Sequence, residues 1–297
     1  MTGPKCYLCG SPQMVKHRLQ LNVGAKSVDV LRCVLCRLVQ NHPRVPKDYS
    51  RLSPQGSQGE VHTRHWVSFE DYERQQRGTK IFLADWVESI WHAYRGDGNP
   101  PLRGVEIGCH TGLLLHLLSQ RRRRRGEWIG VDPDAEAGAW GRQHHHITIY
   151  AGYLDQLELQ PRSFDLVLMM EVLEHSPDPL SLLRGARRLM RADALLFVVV
   201  PDVMGCETAD EFIVEEHMFH FSMDTLRRLA EGAGLAVFRE QESSRPSGIP
   251  MSWIQTLKRH SWISYLGRKW LSSPLAKWGR GTLVKPGMIM AVYRPAS

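Results

Sequence analysis

The chain has 297 residues, 42% of them hydrophobic, and a formal net charge of +7. That is ordinary for a globular protein and leaves room for one large α/β domain plus a small appendage. The longest apolar run, Ala194–Val200, is too short to span a bilayer, and no apolar stretch follows Met1-Thr2-Gly3-Pro4, so neither an anchor nor a signal peptide is expected.

In chain order, residues 1–42 carry Cys6-Tyr7-Leu8-Cys9 and Cys33-Val34-Leu35-Cys36. A two-residue spacer lets one tight turn present two sulfurs, and four thiolates from two such turns satisfy tetrahedral Zn²⁺. Paired Cys-x-x-Cys without a secretory signal argues for metal in a reducing, cytoplasmic compartment, not for disulfides. Residues 1–42 are therefore expected to be a zinc ribbon, with Cys6, Cys9, Cys33 and Cys36 closing the shell of a structural ion. Residues 43–97 read as a linker and helical lead-in. Pro43, Pro46, Pro54, Gly56 and Gly59 mark the linker. Two helices are predicted after it, Phe69–Arg77 capped by Ser68 and Thr79–Tyr94 ended by Gly96. Leu83, Trp86, Val87, Ile90, Trp91 and Tyr94 recur at spacings of three and four in the second.

Strands are then predicted at 103–108, 127–132, 147–151, 164–170, 194–200, 235–240 and 287–294, and helices at 112–121, 135–143, 178–190 and 223–233. Continuous apolar strands such as Leu166–Met170 suit a sheet covered on both faces. The fold class expected for 98–297 is α/β: a doubly wound seven-stranded Rossmann-like sheet, its last strand antiparallel, with the ligand at the carboxyl ends of the strands. Residues 243–286 form a long insertion between the last two strands.

Within Val105-Glu106-Ile107-Gly108-Cys109-His110-Thr111-Gly112, Gly108 and Gly112 flank a strand-to-helix turn where backbone can approach a ligand. Asp132 ends the next strand, where an acid can accept both hydroxyls of a ribose. The combination points to a nucleoside, and the missing G-x-G-x-x-G spacing counts against NAD. S-adenosylmethionine (SAM) is the expected cofactor.

These residues carry a family resemblance. Val105–Gly112 looks like motif I of class I SAM-dependent methyltransferases, and Gly130-Val131-Asp132-Pro133 like their acidic second-strand motif. Phe164–Val167 followed by Glu171-Val172-Leu173-Glu174-His175 resembles the fourth-strand motif of the ubiquinone-biosynthesis type. Glu216-His217-Met218-Phe219-His220-Phe221-Ser222 is similar to the stretch after strand five in that group. Cys33–Asn41 resembles the ribbon in front of sugar C-methyltransferases and of many methyltransferases of glycans and secondary metabolites. The resemblance implies cofactor contacts from Glu106, Gly108, Cys109, His110, Gly112, Asp132, Pro133, Asp155, Met170 and Glu171. His110 stands where the family has a second glycine, and Tyr153 where an acid often reads adenine, with Asp155 as the substitute.

For a hydroxyl acceptor the protein must remove a proton while holding the acceptor in line. His217, beside Glu216, matches the position that carries base chemistry in the related sugar enzymes, and His175 is the second candidate. His144-His145-His146 and Arg121–Arg125 read as solvated. The expected function is methyl transfer from SAM to a small-molecule or glycan acceptor, most simply at oxygen. The alternatives are an RNA methyltransferase, less favoured for want of a recognisable RNA module, and a catalytically silent SAM-fold binding protein.

The charge excess sits in one stretch. Met251–Lys285 has seven Lys or Arg, no Asp or Glu, and four of the nine tryptophans. It is expected to be either a packed lid or a peripheral contact with an anionic membrane at its inner face, admitting a lipid-linked acceptor. The sequence leaves the oligomeric state open.

Overall fold

The computed structural model of the chain describes residues 3–20, 27–51, 67–96, 102–121, 126–202, 216–242 and 288–296. The insertion at 243–286, with its basic stretch 251–285, and Arg122–Arg125 fall outside these.

Seven strands form the central sheet: β4 (Leu102–Ile107), β5 (Gly126–Asp132), β6 (Thr148–Ala151), β7 (Phe164–Met170), β8 (Met190–Pro201), β10 (Leu235–Glu242) and β11 (Met288–Pro295). Their order is β10-β11-β8-β7-β4-β5-β6. The pairs from β6 to β8 are parallel, while β11 runs antiparallel to both β8 and β10. This is the doubly wound sheet expected.

Side chains alternate along each strand, so one strand feeds two cores. On β7, Leu166, Leu168 and Met170 join the cluster under α1 (Phe69–Arg95) and α2 (Leu113–Ser119). Val167 and Met169 join the cluster on the opposite face, with Leu183 of α4 (Pro179–Leu189) and Leu226 of α5 (Met223–Gly232). α3 (Ala135–His145) packs beside α2 and β6.

The lead-in is one helix, not two. α1 runs unbroken through Gly78, from the Ser68 cap, whose hydroxyl accepts from the Asp71 amide, to Gly96. A glycine inside a helix costs about 1 kcal/mol relative to alanine. Burial of Leu83, Val87, Ile90 and Trp91, all at 2% exposure or less, outweighs that cost.

At the N-terminus, β1 (Met14–Gln20), β2 (Ser27–Cys33) and β3 (Val39–Asn41) form an antiparallel sheet whose fourth strand is β9 (Phe219–His220). β9 belongs to the stretch after β8, so the small sheet is shared across the molecule. Cys6, Cys33, Cys36 and Leu38 lie in the same apolar cluster as Met218, Phe219 and Phe221. The first Cys turn is fastened as well. The Tyr7 hydroxyl donates to Asp178 and accepts from the Leu180 amide at 3.1 Å, and its ring lies 4.8 Å from Phe219.

Candidate functional site

Two arrangements meet at the carboxyl ends of the parallel strands. The first is the turn between β4 and α2. Gly108, His110 and Gly112 all take left-handed backbone, with φ of 74°, 50° and 71°. A Cβ on Gly108 would lie 2.2 Å from Val172 Cγ2, so glycine is required there by space as well as by φ. His110 adopts the conformation a glycine would, at a steric cost of about 1–2 kcal/mol. Its ring sits 4.2 Å from that of Tyr72 and 5.8 Å from that of Phe69, both in the first turn of α1. The turn keeps its shape despite the substitution, and the histidine becomes an attachment point for α1.

Asp132, 7% exposed, closes this turn from β5. Its Oδ2 accepts from the His110 amide at 2.6 Å and its Oδ1 from the Asp134 amide at 2.9 Å. Each oxygen keeps a lone pair for a ligand hydroxyl. Burial pushes its carboxyl up to about 6. Pro133 follows, half-buried, and Asp134 caps α3.

Glu106 is fully buried on the α1 side of β4, and neither carboxylate oxygen has a hydrogen-bond partner. Lys80 of α1 is 3.8 Å away and itself 7% exposed. Burial raises Glu106 to about 7, while Lys80 pulls it down; Tyr72 and Glu106 in turn hold the lysine charged against its own burial. Such an orphaned carboxylate needs a donor. The ammonium group of an amino-acid ligand meets that need, and Lys80 offers a partner for the ligand's carboxylate. The residues present thus fit SAM at its amino-acid end and at its ribose.

Cys109 serves differently from the other cofactor candidates. The residue is 2% exposed, its thiol packs on Gly130, where a Cβ would lie 2.4 Å from Sγ, and it donates weakly to the His110 carbonyl at 3.7 Å. Met170 is buried at the end of β7, and Glu171 follows with φ of 60°. Asp155 is exposed on a short 3-10 turn (Leu154–Gln156).

The second arrangement is the mouth above β7. Val172, against Gly108, leads into a 3-10 turn over Leu173–His175. The Met218 amide donates to the Glu174 carbonyl at 2.9 Å, which clips Glu216-His217 alongside Glu174-His175. The two histidine rings meet edge to face, 4.6 Å between centroids. Lys47 pairs with Glu216 at 3.1 Å. The Tyr49 hydroxyl is 2.8 Å from His175 Nδ1, and the Tyr49 amide donates to the Tyr153 hydroxyl at 3.0 Å. Burial, then Glu216 and Glu174, raise the Tyr49 phenol above its usual range. Residues 43–51 are thus part of the mouth and not a passive linker. His220 is structural: it is 2% exposed, bonded to Asn41 at 2.8 Å, and held neutral by burial at about 3.

Sequence reasoning missed Lys80, Tyr72, Lys47 and Tyr49. Only Lys80 left a signal, as a lysine three residues before Leu83 on the apolar stripe of α1. His145 also differs from expectation. It is not solvated but binds Glu73 of α1 at 2.6 Å, its side chain 9% exposed.

The four thiols of Cys6, Cys9, Cys33 and Cys36 converge, with Sγ–Sγ distances of 3.4 Å (Cys6 to Cys36) and 3.5 Å (Cys9 to Cys33) and all four sulfurs within 4.8 Å. Tetrahedral zinc would space them by about 3.8 Å. The Cys36 amide lies 3.5 Å from Cys33 Sγ, the kind of N–H contact that steadies a thiolate. The donor set fits zinc.

Comparison with known proteins agrees with this geometry. Residues 72–240, more than half of the chain, match the family described as "Methyltransferase domain". The ubiquinone biosynthesis O-methyltransferase of Neisseria meningitidis serogroup C is 32% identical over 112 residues, 34% of this chain and 46% of that protein. The C-methyltransferase NovU of Streptomyces niveus is 32% identical over 139 residues, 45% of this chain and 32% of that protein. The chain spans less than half the length of these relatives. Among solved structures, the plantazolicin methyltransferase BpumL in complex with SAH superposes with a TM-score of 0.53 at 12% identity, covering 77% of this chain and 88% of that one. A putative sarcosine dimethylglycine methyltransferase from Galdieria sulphuraria gives 0.52 at 15% identity, covering 74% and 88%.

Proposed function

The chain belongs to the methyltransferase-domain family, and from that membership we propose that it transfers the methyl group of SAM to a small-molecule or glycan acceptor, at oxygen. The observation that carries this reading is the contact of Val172 with the Gly108 turn, because it joins the cofactor cradle directly to the loop bearing Glu174-His175 and, clipped to it, Glu216-His217. The methyl of SAM is already electrophilic. The protein has only to align an acceptor and take its proton. In this reading Glu106, Lys80, Asp132 and the Gly108–Gly112 backbone bind SAM, His217 serves as or orients the base, and His175, oriented by Tyr49, lines the acceptor side.

A structural Zn²⁺ on Cys6, Cys9, Cys33 and Cys36 belongs to the same proposal, since a ribbon of about forty residues is too small to stabilise itself through its own core. The composition of 251–285 supports peripheral contact with an anionic membrane and a lipid-linked acceptor. No helix among the described residues is long and apolar enough to cross a membrane. The deciding experiment is incubation of the protein with methyl-labelled SAM and cell extract, followed by separation into small-molecule, lipid, glycan, RNA and protein fractions. Label in the small-molecule, glycan or lipid fraction is expected. Label confined to RNA or protein, or none at all, would overturn the reading.

A further inference from the structure

The short strap of residues 47–51 is held from two sides of the site. On the mouth side, Lys47 pairs with Glu216 at 3.1 Å, their side chains 24% and 15% exposed. The Tyr49 ring meets that of His175 edge to face at 5.5 Å, and its hydroxyl is 2.8 Å from His175 Nδ1. On the cofactor side the hold comes from Tyr153, in the loop after β6. The residue before it, Gly152, donates its amide to the Asp132 carbonyl at 2.9 Å, so this loop is tied to the acid that closes the cofactor turn. The Tyr153 hydroxyl accepts from the Tyr49 amide at 3.0 Å. β6 and β7 do not touch, because β5 and β4 lie between them. The chain Tyr153, Tyr49, His175 therefore joins two loops that the sheet keeps apart.

The geometry points to Tyr153 as a positioning residue of the acceptor mouth: from the cofactor's side, its hydroxyl holds the strap backbone at Tyr49 and through it fixes His175. Three arguments carry this. First, Tyr49 opens a 3-10 turn, and an amide at such a start has no partner inside the turn. Asp48 caps the next residue, its Oδ1 accepting from the Ser50 amide at 3.0 Å and the Ser50 hydroxyl at 2.6 Å. The Tyr49 amide is satisfied by Tyr153. Second, the contact is to backbone. It fixes where the Tyr49 Cα stands, and so where its phenol meets His175. Third, the same His175 Nδ1 lies 3.2 Å from the Glu216 carbonyl. A carbonyl can only accept, so Nδ1 carries the proton, and a correctly placed Tyr49 oxygen helps to keep it there. Burial raises the Tyr153 phenol and the Tyr49 amide lowers it, with Asp48 and Asp132 adding to the rise; it remains a neutral hydroxyl.

The contact itself does not depend on the methyltransferase reading. Its consequence for methyl transfer does.

The test is Tyr153→Phe in the full-length protein, which removes the hydroxyl and keeps the ring. With histidine labelled by ¹⁵N, NMR should show His175 losing part of its Nδ1-protonated tautomer, at an unchanged melting temperature; His175→Gln identifies the signal. Tyr49→Phe should give the same change, and the double variant no more than either alone. Trypsin cleavage after Lys47 should become about tenfold faster as the strap loosens. Affinity for S-adenosylhomocysteine by calorimetry should be unchanged, where loss of a hydrogen bond to the ligand would cost about two- to tenfold. Methyl transfer from labelled SAM should fall about tenfold. In the wild type the Tyr49 amide should exchange slowly with solvent, and rapid exchange would overturn the role even where the variant does not fold. Unaltered His175 signals in folded Tyr153→Phe would overturn it too, as would weakened S-adenosylhomocysteine with unaltered cleavage, which would make Tyr153 a cofactor residue. A shifted His175 signal in a protein that ignores S-adenosylhomocysteine would leave the positioning role standing and remove the methyltransferase reading instead.

Discussion

The cofactor end and the acceptor mouth are built on opposite plans. The cofactor end is local. Gly108, His110, Gly112 and Asp132 come from one strand-turn-helix unit and the strand beside it, locked by left-handed backbone and by the Asp132 carboxylate on two amides. The mouth is assembled from distant pieces. Tyr49 and Lys47 reach it from the chain after the ribbon, His175 from the end of β7, and Glu216-His217 from the stretch after β8. Those pieces are held together by the small sheet, where β3 pairs with β9 and the Asn41 amide donates to the Met218 carbonyl at 3.0 Å. The four-cysteine N-terminal module is thus positioned to order the acceptor side while leaving the cofactor side alone.

The largest effect should come from breaking the ribbon. Structural zinc contributes roughly 10–16 kcal/mol to small modules of this kind, so replacing Cys33 and Cys36 by Ser should release the metal and unfold the small sheet. Turnover should fall below detection while SAM affinity stays within about threefold. Metal analysis, turnover and calorimetry on the same variant check this; equal loss of both functions would mean that the two regions are not separable.

Within the mouth, His217→Ala should lower turnover by ~10²–10⁴ with SAM affinity nearly kept, whether the imidazole acts as the base or orients it. The converse variant, Asp132→Ala, should weaken SAM by about ten- to a hundredfold. It removes hydrogen bonds from a charged acceptor worth about 1.5–3 kcal/mol, and leaves saturated turnover much closer to wild type.

How much of this could be read from the sequence follows the same division. The strands and the Gly108–Gly112 turn were legible because their signals are contiguous: apolar runs, two glycines at fixed spacing, an acid at a strand end. The pairing of Phe219-His220 with Val39-Gln40 was not, since a two-residue strand has no period and its partner lies far away in the chain. Gly78 suggested a break between two helices because local propensity says so, and the buried face of Leu83 and Val87 overrode it. Lys47 and Tyr49 sat among prolines and polar residues that read as linker. His145 was hidden because its partner Glu73 comes from another helix.

A smaller effect concerns pH. Burial holds Asp132 at about 6 and Glu106 at about 7. Both would bind SAM as carboxylates, so SAM affinity should rise as pH goes from about 5 to 7.5, and binding in that window should release protons. Calorimetry in buffers of different ionisation enthalpy measures the release. The sign for the cofactor-free fold is opposite. An acid whose folded pKa is raised stabilises the fold below its unfolded value, and that contribution fades as pH climbs through 6–7. The cofactor-free protein should therefore lose stability over the same range in which its affinity for SAM rises. Uptake of protons on binding would contradict the placement of both acids.

The smallest effect tests whether α1 belongs wholly to the cofactor end. Gly78 lies between Tyr72, which touches His110, and Lys80, which faces Glu106. Nothing lies within 4 Å of where its Cβ would stand, and the helix is continuous through it. Gly78→Ala should then stabilise the protein by about 0.5–1 kcal/mol, chiefly by reducing the freedom of the unfolded chain, and raise Tm by roughly 2–4 °C. If α1 is a rigid wall, SAM affinity and turnover should not change. If instead the helix must bend at Gly78 to admit the cofactor between Lys80 and the His110 turn, the same variant will be more stable yet bind SAM more slowly. Melting and stopped-flow binding on one variant separate these outcomes. A slower on-rate with a higher Tm would make α1 a moving part, and the cofactor end would then be less preorganised than its locked turn implies.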